Sequence, residues 1–218
     1  MLKRLLAFAA LSFAASHADA APPHHAVFET SMGEILVELE TAKAPASVAA
    51  FAAYVRSGLY DGTLFHRVVK GFVVQGGEFA PAAGVSPGEP AMPRARVAAV
   101  PPETGNGLTN RRGTIAFVRT RADGDDAAPQ GFFFNLDDND FLDHRRFATG
   151  AIVPTPAGPQ AVPAGTEIPG HAVFGRVVQG IEAIDRIAAV PVRSEGPHAH
   201  LPVAPVTIRR VRILSAPR

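Results

Sequence analysis

Phe65-His66-Arg67-Val68-Val69-Lys70-Gly71-Phe72-Val73-Val74-Gln75-Gly76-Gly77 is the stretch from which the rest of the chain can be placed. Two short runs rich in Val and Phe flank Lys70-Gly71, the pattern of two strands joined by a tight turn. Their polar content is unusual, because Arg67 and Gln75 stand where a core strand would carry Val or Ile. With side chains alternating every second residue, Arg67 shares a face with Val69, and Gln75 shares a face with Val73. A guanidinium and a carboxamide can therefore meet on an otherwise apolar surface, with the Phe72 ring beside them. Taken on local pattern alone, Arg67 reads as a surface strand residue whose stem lies over apolar neighbours.

Outward from this stretch, the 218 residues are enough for one domain with a sizeable core. A hydrophobic content of 47% with a formal net charge of +1 excludes a disordered or polybasic chain. There is no basic stripe to imply nucleic acid. Cys is absent, so neither disulfides nor thiol chemistry contribute. Lys3-Arg4, the apolar run Leu5 to Ala15 and Ala18-Asp19-Ala20 form a secretory leader with cleavage expected after Ala20. The apolar run is shorter than the ~20 residues a membrane anchor needs. Cleavage removes two positive charges and one negative, leaving a mature chain with no formal net charge. The expectation is a leader at residues 1–20 and a single domain at 21–218, exported as a soluble periplasmic or secreted protein.

Val27 to Thr30 and Ile35 to Leu39 bracket Met32-Gly33 as a hairpin, with Leu36 breaking the alternation. Pro45 opens a helix whose stripe is Val48, Phe51, Ala52 and Val55, and Gly58 stops it. Phe79 to Pro93 reads as a loop, Gly113 to Val118 as a buried strand and Gly131 to Leu136 as an aromatic strand. Between them, Arg121 to Gln130 holds Asp123, Asp125 and Asp126 without the other ligands of a calcium loop, so it reads as a solvated turn. His144 to Gly170 reads as a long loop, of a length that is often functional. His171 to Val178 returns to strand, Ile181 to Ala188 forms a second helix, Arg193 to Pro205 is loop, and Val206 to Leu214 alternates as a last strand. About eight strands and two helices make an all-β tally, best closed as an antiparallel β-barrel because closure removes exposed edges. His24-His25, in the tail after the leader, and His198-Ala199-His200, in a loop, lack partners at metal-site spacing.

The order of residues carries more than the local pattern. Phe65-His66-Arg67, Gly71-Phe72 and Gln75-Gly76-Gly77 resemble the signature of the cyclophilins, the peptidyl-prolyl isomerases. Asn106-Gly107-Leu108, Arg112-Gly113-Thr114-Ile115-Ala116, Phe132-Phe133, Phe141-Leu142-Asp143 and Val173-Phe174-Gly175 follow in that family's order. The resemblance runs from Val27 to Leu214 and is strongest to the bacterial, exported branch. It implies a closed eight-stranded barrel with two capping helices, and isomerisation of X–Pro bonds without any cofactor or metal. Arg67 and Gln75 would be catalytic. Phe72, Val73, Phe133, Leu142 and His171 would line the proline site, with Phe141 at its rim. The implied partners are proline-containing polypeptides, met by a monomer with no nucleic-acid partner and no membrane anchor. Five departures stand out. Val73 replaces the common Met, Val118 the common Ala, and Phe141 stands where many eukaryotic members carry Trp. Gly131 replaces the Gln before the Phe pair, with Gln130 one place earlier, and the His144 to Gly170 loop is longer than in compact members. A rival reading is a module that captures proline segments with little or no catalysis. A metal-dependent hydrolase rests only on His and Asp counts.

Overall fold

Alternation of side chains decides how the strands close. In the computed structural model, which describes residues 23–81, 90–93, 103–119, 131–153, 158–195 and 198–215, strands β1 (Pro23–Thr30) and β2 (Gly33–Leu39) form the first hairpin. The Thr30 hydroxyl fastens its turn by donating to the Gly33 carbonyl at 2.6 Å. Ile35, Val37 and Leu39 point inward and are buried, while Leu36 faces out, half-buried. β3 (Thr63–Val69) and β4 (Val73–Gly76) are the strands of the Phe65 to Gly77 stretch. With β7 (Thr114–Phe117), β8 (Phe132–Asn135), β13 (Val173–Gln179) and β16 (Thr207–Ser215) they complete an eight-stranded antiparallel barrel, closed in the order β1, β16, β3, β4, β8, β7, β13, β2.

The inner face is aromatic. Phe28 meets Phe132 and Phe134 edge-on at 5.3 and 5.4 Å between ring centres, and Phe117 lies 4.5 Å from Phe174. Fully burying a side chain of this kind stabilises by ~1.5–3 kcal/mol. A surface ion pair such as Arg212–Glu29 contributes ~0–1 kcal/mol. The ring lattice therefore dominates what holds the barrel together.

Helix α1 (Pro45–Arg56) drops Phe51 into this lattice, 5.0 Å from Phe174. Its stripe of Val48, Phe51, Ala52 and Val55 is buried, as the spacing predicts. Ala44 offers no side-chain cap, and the deficiency is met from far along the chain. The Glu103 carboxylate accepts the Ala46 and Ser47 N–H groups at 3.0 and 2.7 Å. Gly58 follows the helix at φ 71°, the left-handed setting in which a Cβ is costly. Helix α2 (Ile181–Ala188) buries Ala183, Ile184 and Ile187 in the same core and packs against β2, β3 and β4.

Four short ribbons correct the loop expectations. β5 (Phe79–Pro81) pairs with β6 (Pro90–Pro93), so part of the segment read as a loop is strand. The long loop is a nested arm: β9 (Arg145–Arg146) pairs with β12 (Glu167–Ile168), and inside them β10 (Ala151–Val153) pairs with β11 (Gln160–Val162). β14 (Val192–Glu195) pairs with β15 (His198–Pro202), so His198 and His200 sit on a strand. His24 and His25 also belong to a strand, β1, rather than to a tail. Runs of two to five residues are too brief to display alternation, which is why they read as loop. The leader at 1–20 and the turn around Asp123 to Asp126 lie outside the described residues. Among the described residues no helix is long and apolar enough to cross a membrane.

Candidate active site

The strands that bury Phe132 and Phe134 on their inner face turn Phe133 outward, and a second, smaller apolar cluster forms there. Val73, Ala116, Phe133 and Val173 are its buried members, with Phe72, Leu108, Val118 and Leu142 packed against them. Register explains the grouping. Arg67 pairs with Gln75, Gln75 with Phe133, Phe133 with Ala116, and Ala116 with Val173. One row of side chains thus crosses β3, β4, β8, β7 and β13 on the outside of the barrel, polar at one end and apolar at the other.

At the polar end, the Arg67 Nη1 donates to the Gln75 Oε1 at 3.4 Å. The guanidinium carbon lies 5.7 Å from the centre of the Phe72 ring. Arg67 is half-buried, and burial pulls its pKa below the ordinary guanidinium value. Arginine still carries its charge in such a setting. Gln75 in turn donates from Nε2 to the Glu78 Oε2 at 2.9 Å, and the buried His66 places its Nε2 3.2 Å from that same oxygen.

At the rim, Phe141 is 49% exposed and stacks on Phe72, with ring centres 5.5 Å apart and planes 22° apart. A buried amide ladder holds these two rings from below. Asn139 donates to the Phe72 carbonyl at 3.0 Å and to the Asn135 Oδ1 at 2.8 Å. Asn135 donates to the Asn110 Oδ1 at 3.1 Å, and Asn110 donates through backbone and side chain to the Asp143 Oδ1 at 2.7 and 2.8 Å. Asn110, Asn135 and Asn139 are all buried, and each amide is supplied with partners. The ladder therefore ties the β3–β4 turn to the 3-10 turn at Asp140–Leu142.

His171 lies edge-on to Phe133, ring centres 5.2 Å apart, and its backbone N–H donates to the Leu142 carbonyl at 2.8 Å. Its Nδ1 is 3.1 Å from the Phe117 carbonyl and 3.3 Å from the Arg119 N–H. Burial pushes the imidazole below its usual range; the Phe117 carbonyl opposes that shift and the Arg119 charge adds to it.

The eight residues singled out from the sequence, Arg67, Gln75, Phe72, Val73, Phe133, Phe141, Leu142 and His171, thus fall along one patch. The sequence reading passed over Ala116 and Val173 as site residues, although their alternation with the inward Ile115, Phe117 and Phe174 marks them as outward. It also passed over His66, Glu78 and the three asparagines, for which no periodic signal exists. Chemically, the patch offers an apolar floor beside one oriented cationic donor, with no hydroxyl or thiol nucleophile in the row.

Comparison with known proteins agrees with this architecture. Residues 25–213 match the family model described as cyclophilin type peptidyl-prolyl cis-trans isomerase/CLD. The chain is 39% identical over 190 residues to peptidyl-prolyl cis-trans isomerase A of Dickeya dadantii, covering 87% of this chain and 84% of that one. It is 40% identical over 185 residues to peptidyl-prolyl cis-trans isomerase cyp18 of Streptomyces antibioticus, covering 85% and 95%. Against peptidyl-prolyl cis-trans isomerase B of Escherichia coli K12 the identity is 35% over 187 residues, covering 85% and 97%. Among solved structures, a cyclophilin type isomerase of Cryptosporidium parvum superposes with a TM-score of 0.63 over 89% of this chain and 99% of that one, at 21% identity, a likeness of fold. With the barrel, the motif order and these relatives in agreement over nearly the whole described chain, the protein belongs to the cyclophilin-type peptidyl-prolyl cis-trans isomerase family.

Proposed function

We propose that this chain turns X–Pro bonds of exported polypeptides between cis and trans, with Arg67 as the catalytic donor and Gln75 as the group that steadies it. The observation that carries the reading is a half-buried guanidinium, bonded to Gln75, at the edge of the outer apolar floor. Amide resonance sets a barrier of ~18–20 kcal/mol to rotation. In the twisted transition state that resonance is lost, and the proline nitrogen carries a free lone pair. A fixed N–H donor aimed at that lone pair stabilises the twisted state more than either planar one. Val73, Phe133 and Leu142, with Phe72, Phe141 and His171 around them, offer the proline ring an apolar seat.

The magnitudes are consistent with shared labour. Unaided isomerisation takes tens to hundreds of seconds, so millisecond turnover needs about five decades, roughly 7 kcal/mol at 1.36 per decade. One oriented charged donor supplies ~2.7–4 kcal/mol. Holding the substrate in a twisted pose supplies the rest.

The test is Arg67→Ala in a protease-coupled assay on an Ala-Pro tetrapeptide. kcat/KM should fall by roughly 10²–10³, while peptide binding weakens much less because the apolar seat remains. Near-normal activity in a folded Arg67→Ala protein would replace this reading with that of a module that binds proline segments.

Export belongs to the same proposal and rests on Lys3-Arg4, the apolar run and Ala18-Asp19-Ala20. The single domain would then comprise residues 21–218, acting without cofactor as a monomer in the periplasm or outside the cell. Mass spectrometry of protein from its native host should find Ala21 at the N-terminus. Full-length chains held in the membrane would refute export.

A further inference from the structure

Gln75 stands between a group that can only donate and a group that can only accept. The Arg67 guanidinium has no acceptor, so it admits only the amide oxygen of Gln75; the Glu78 carboxylate has no donor, so it admits only the amide nitrogen. Without Glu78 the amide could turn over and aim its NH2 at the cation. Glu78 is itself held, because the same Oε2 lies 3.2 Å from the Nε2 of His66, whose side chain is 6% exposed against 23% for Glu78. A second, independent observation concerns the space the carboxylate occupies. A Cβ built on Gly131 would lie 2.4 Å from the Glu78 Cδ and 2.7 Å from its Oε2. The φ of Gly131 is outside the left-handed region, so its backbone does not require glycine. A Cβ there would instead push aside the Glu78 side chain, whose carboxylate lies over that position next to Phe132 and Phe133.

We propose that Glu78 is a positioning residue, which fixes the Gln75 amide so that its oxygen steadies Arg67, and that Gly131 exists to leave room for it. The proposal rests on the isomerase reading of the site. It also accounts for the absence of a side chain where the family resemblance leads one to expect glutamine: a side chain there would displace the carboxylate.

The experiment measures kcat and KM separately on an Ala-Pro tetrapeptide by exchange NMR, for wild type, Glu78→Ala, Glu78→Gln, Gly131→Ala and the doubles. Glu78→Ala should lower kcat roughly 5- to 30-fold with KM changed less than about twofold, the mark of an interaction made in the transition state. Glu78→Gln keeps a carbonyl acceptor for the Gln75 Nε2 and should stay within about threefold of wild type. Gly131→Ala should match Glu78→Ala, and should add nothing to it when the two are combined. In the Arg67→Ala background Glu78→Ala should cost less than about twofold, because its effect runs through Arg67. Unchanged kcat in Glu78→Ala, or an equal loss in Glu78→Gln, would overturn the positioning role. A readout independent of turnover is the rotation rate of the Arg67 guanidinium about Nε–Cζ, from 15N line shapes. It should rise severalfold in Glu78→Ala and return in Glu78→Gln; an unchanged rate would overturn the proposal even in a fully active series. An inactive wild type with this spectroscopic response intact would overturn the isomerase reading and leave the positioning role standing.

Discussion

Burial of His171 has a consequence of definite sign for stability. Its imidazole titrates below 6.5 in the folded chain because desolvation disfavours the cation. As pH falls through 6.5 the unfolded chain takes up a proton that the folded chain refuses, so folding stability is lost on that side. Above 6.5 the residue is neutral in both states and contributes no slope. Denaturant midpoints measured from pH 7.5 to 5.0 should therefore fall more steeply for wild type than for His171→Gln, whatever the absolute offset between them. Parallel curves would show that the ring protonates as freely inside the fold as outside. Legibility at this scale follows chemistry. Arg67 and Gln75 were visible because a polar group in a run of Val and Phe is anomalous. Glu78 was not, since an acid after Gly76-Gly77 looks like any solvated residue; its meaning depends on a missing side chain at Gly131, more than fifty positions on.

Among the elements, α1 and the arm show opposite dependences on distant sequence. The spacing of Val48, Phe51, Ala52 and Val55 announces the helix, but its N-terminal donors are satisfied by Glu103, which nothing local to Pro45 reveals. Losing a side-chain cap costs ~0.5–2 kcal/mol. Glu103→Ala should accordingly lower the melting temperature by about 2–4 °C per kcal/mol, the scale for a chain of this size, and should leave tetrapeptide turnover unchanged. A melting temperature equal to wild type would mean that water serves those donors equally well. The arm between His144 and Gly170 reads as a long loop in the sequence because its strands have two or three residues each. Its base is nonetheless fixed to the site: Arg145 donates to the Phe141 carbonyl at 3.2 Å, and His171 to the Leu142 carbonyl at 2.8 Å. Farther out, Ile152 is 75% exposed. Replacing residues 148–164 by a short Gly/Ser linker should spare activity on a tetrapeptide and change the refolding rate of a proline-limited protein substrate. If both rates stay as they were, the arm takes no part in choosing substrates.

At the scale of the molecule, closure was legible and the two-sided use of the sheet was not. Eight alternating or apolar runs and two amphipathic helices leave few options besides a barrel, and the motif order pointed the same way. Gly131-Phe132-Phe133-Phe134-Asn135-Leu136, however, reads as uniformly buried. Alternation separates Phe133 from Phe132 and Phe134, but three consecutive rings do not say which face is the interior, and all three are within 5% exposure. Only the register, which sets Phe133 opposite Gln75 and Ala116, assigns it to the outer patch.

The seam of the barrel has a bearing on how the chain is made. β1 is bonded to β2 on one side and to β16 on the other, with Ala26 opposite Ile213 and Val27 opposite Arg212. A ribosome releases residues 23–39 long before 207–215, so through most of synthesis the first hairpin carries a bare row of N–H and C=O groups along one flank. That flank is a template for any extended segment nearby. The barrel cannot close from the front, because its first strand waits for its last. For a peptidyl-prolyl isomerase, closure of its own barrel thereby waits on the arrival of its C-terminal strand.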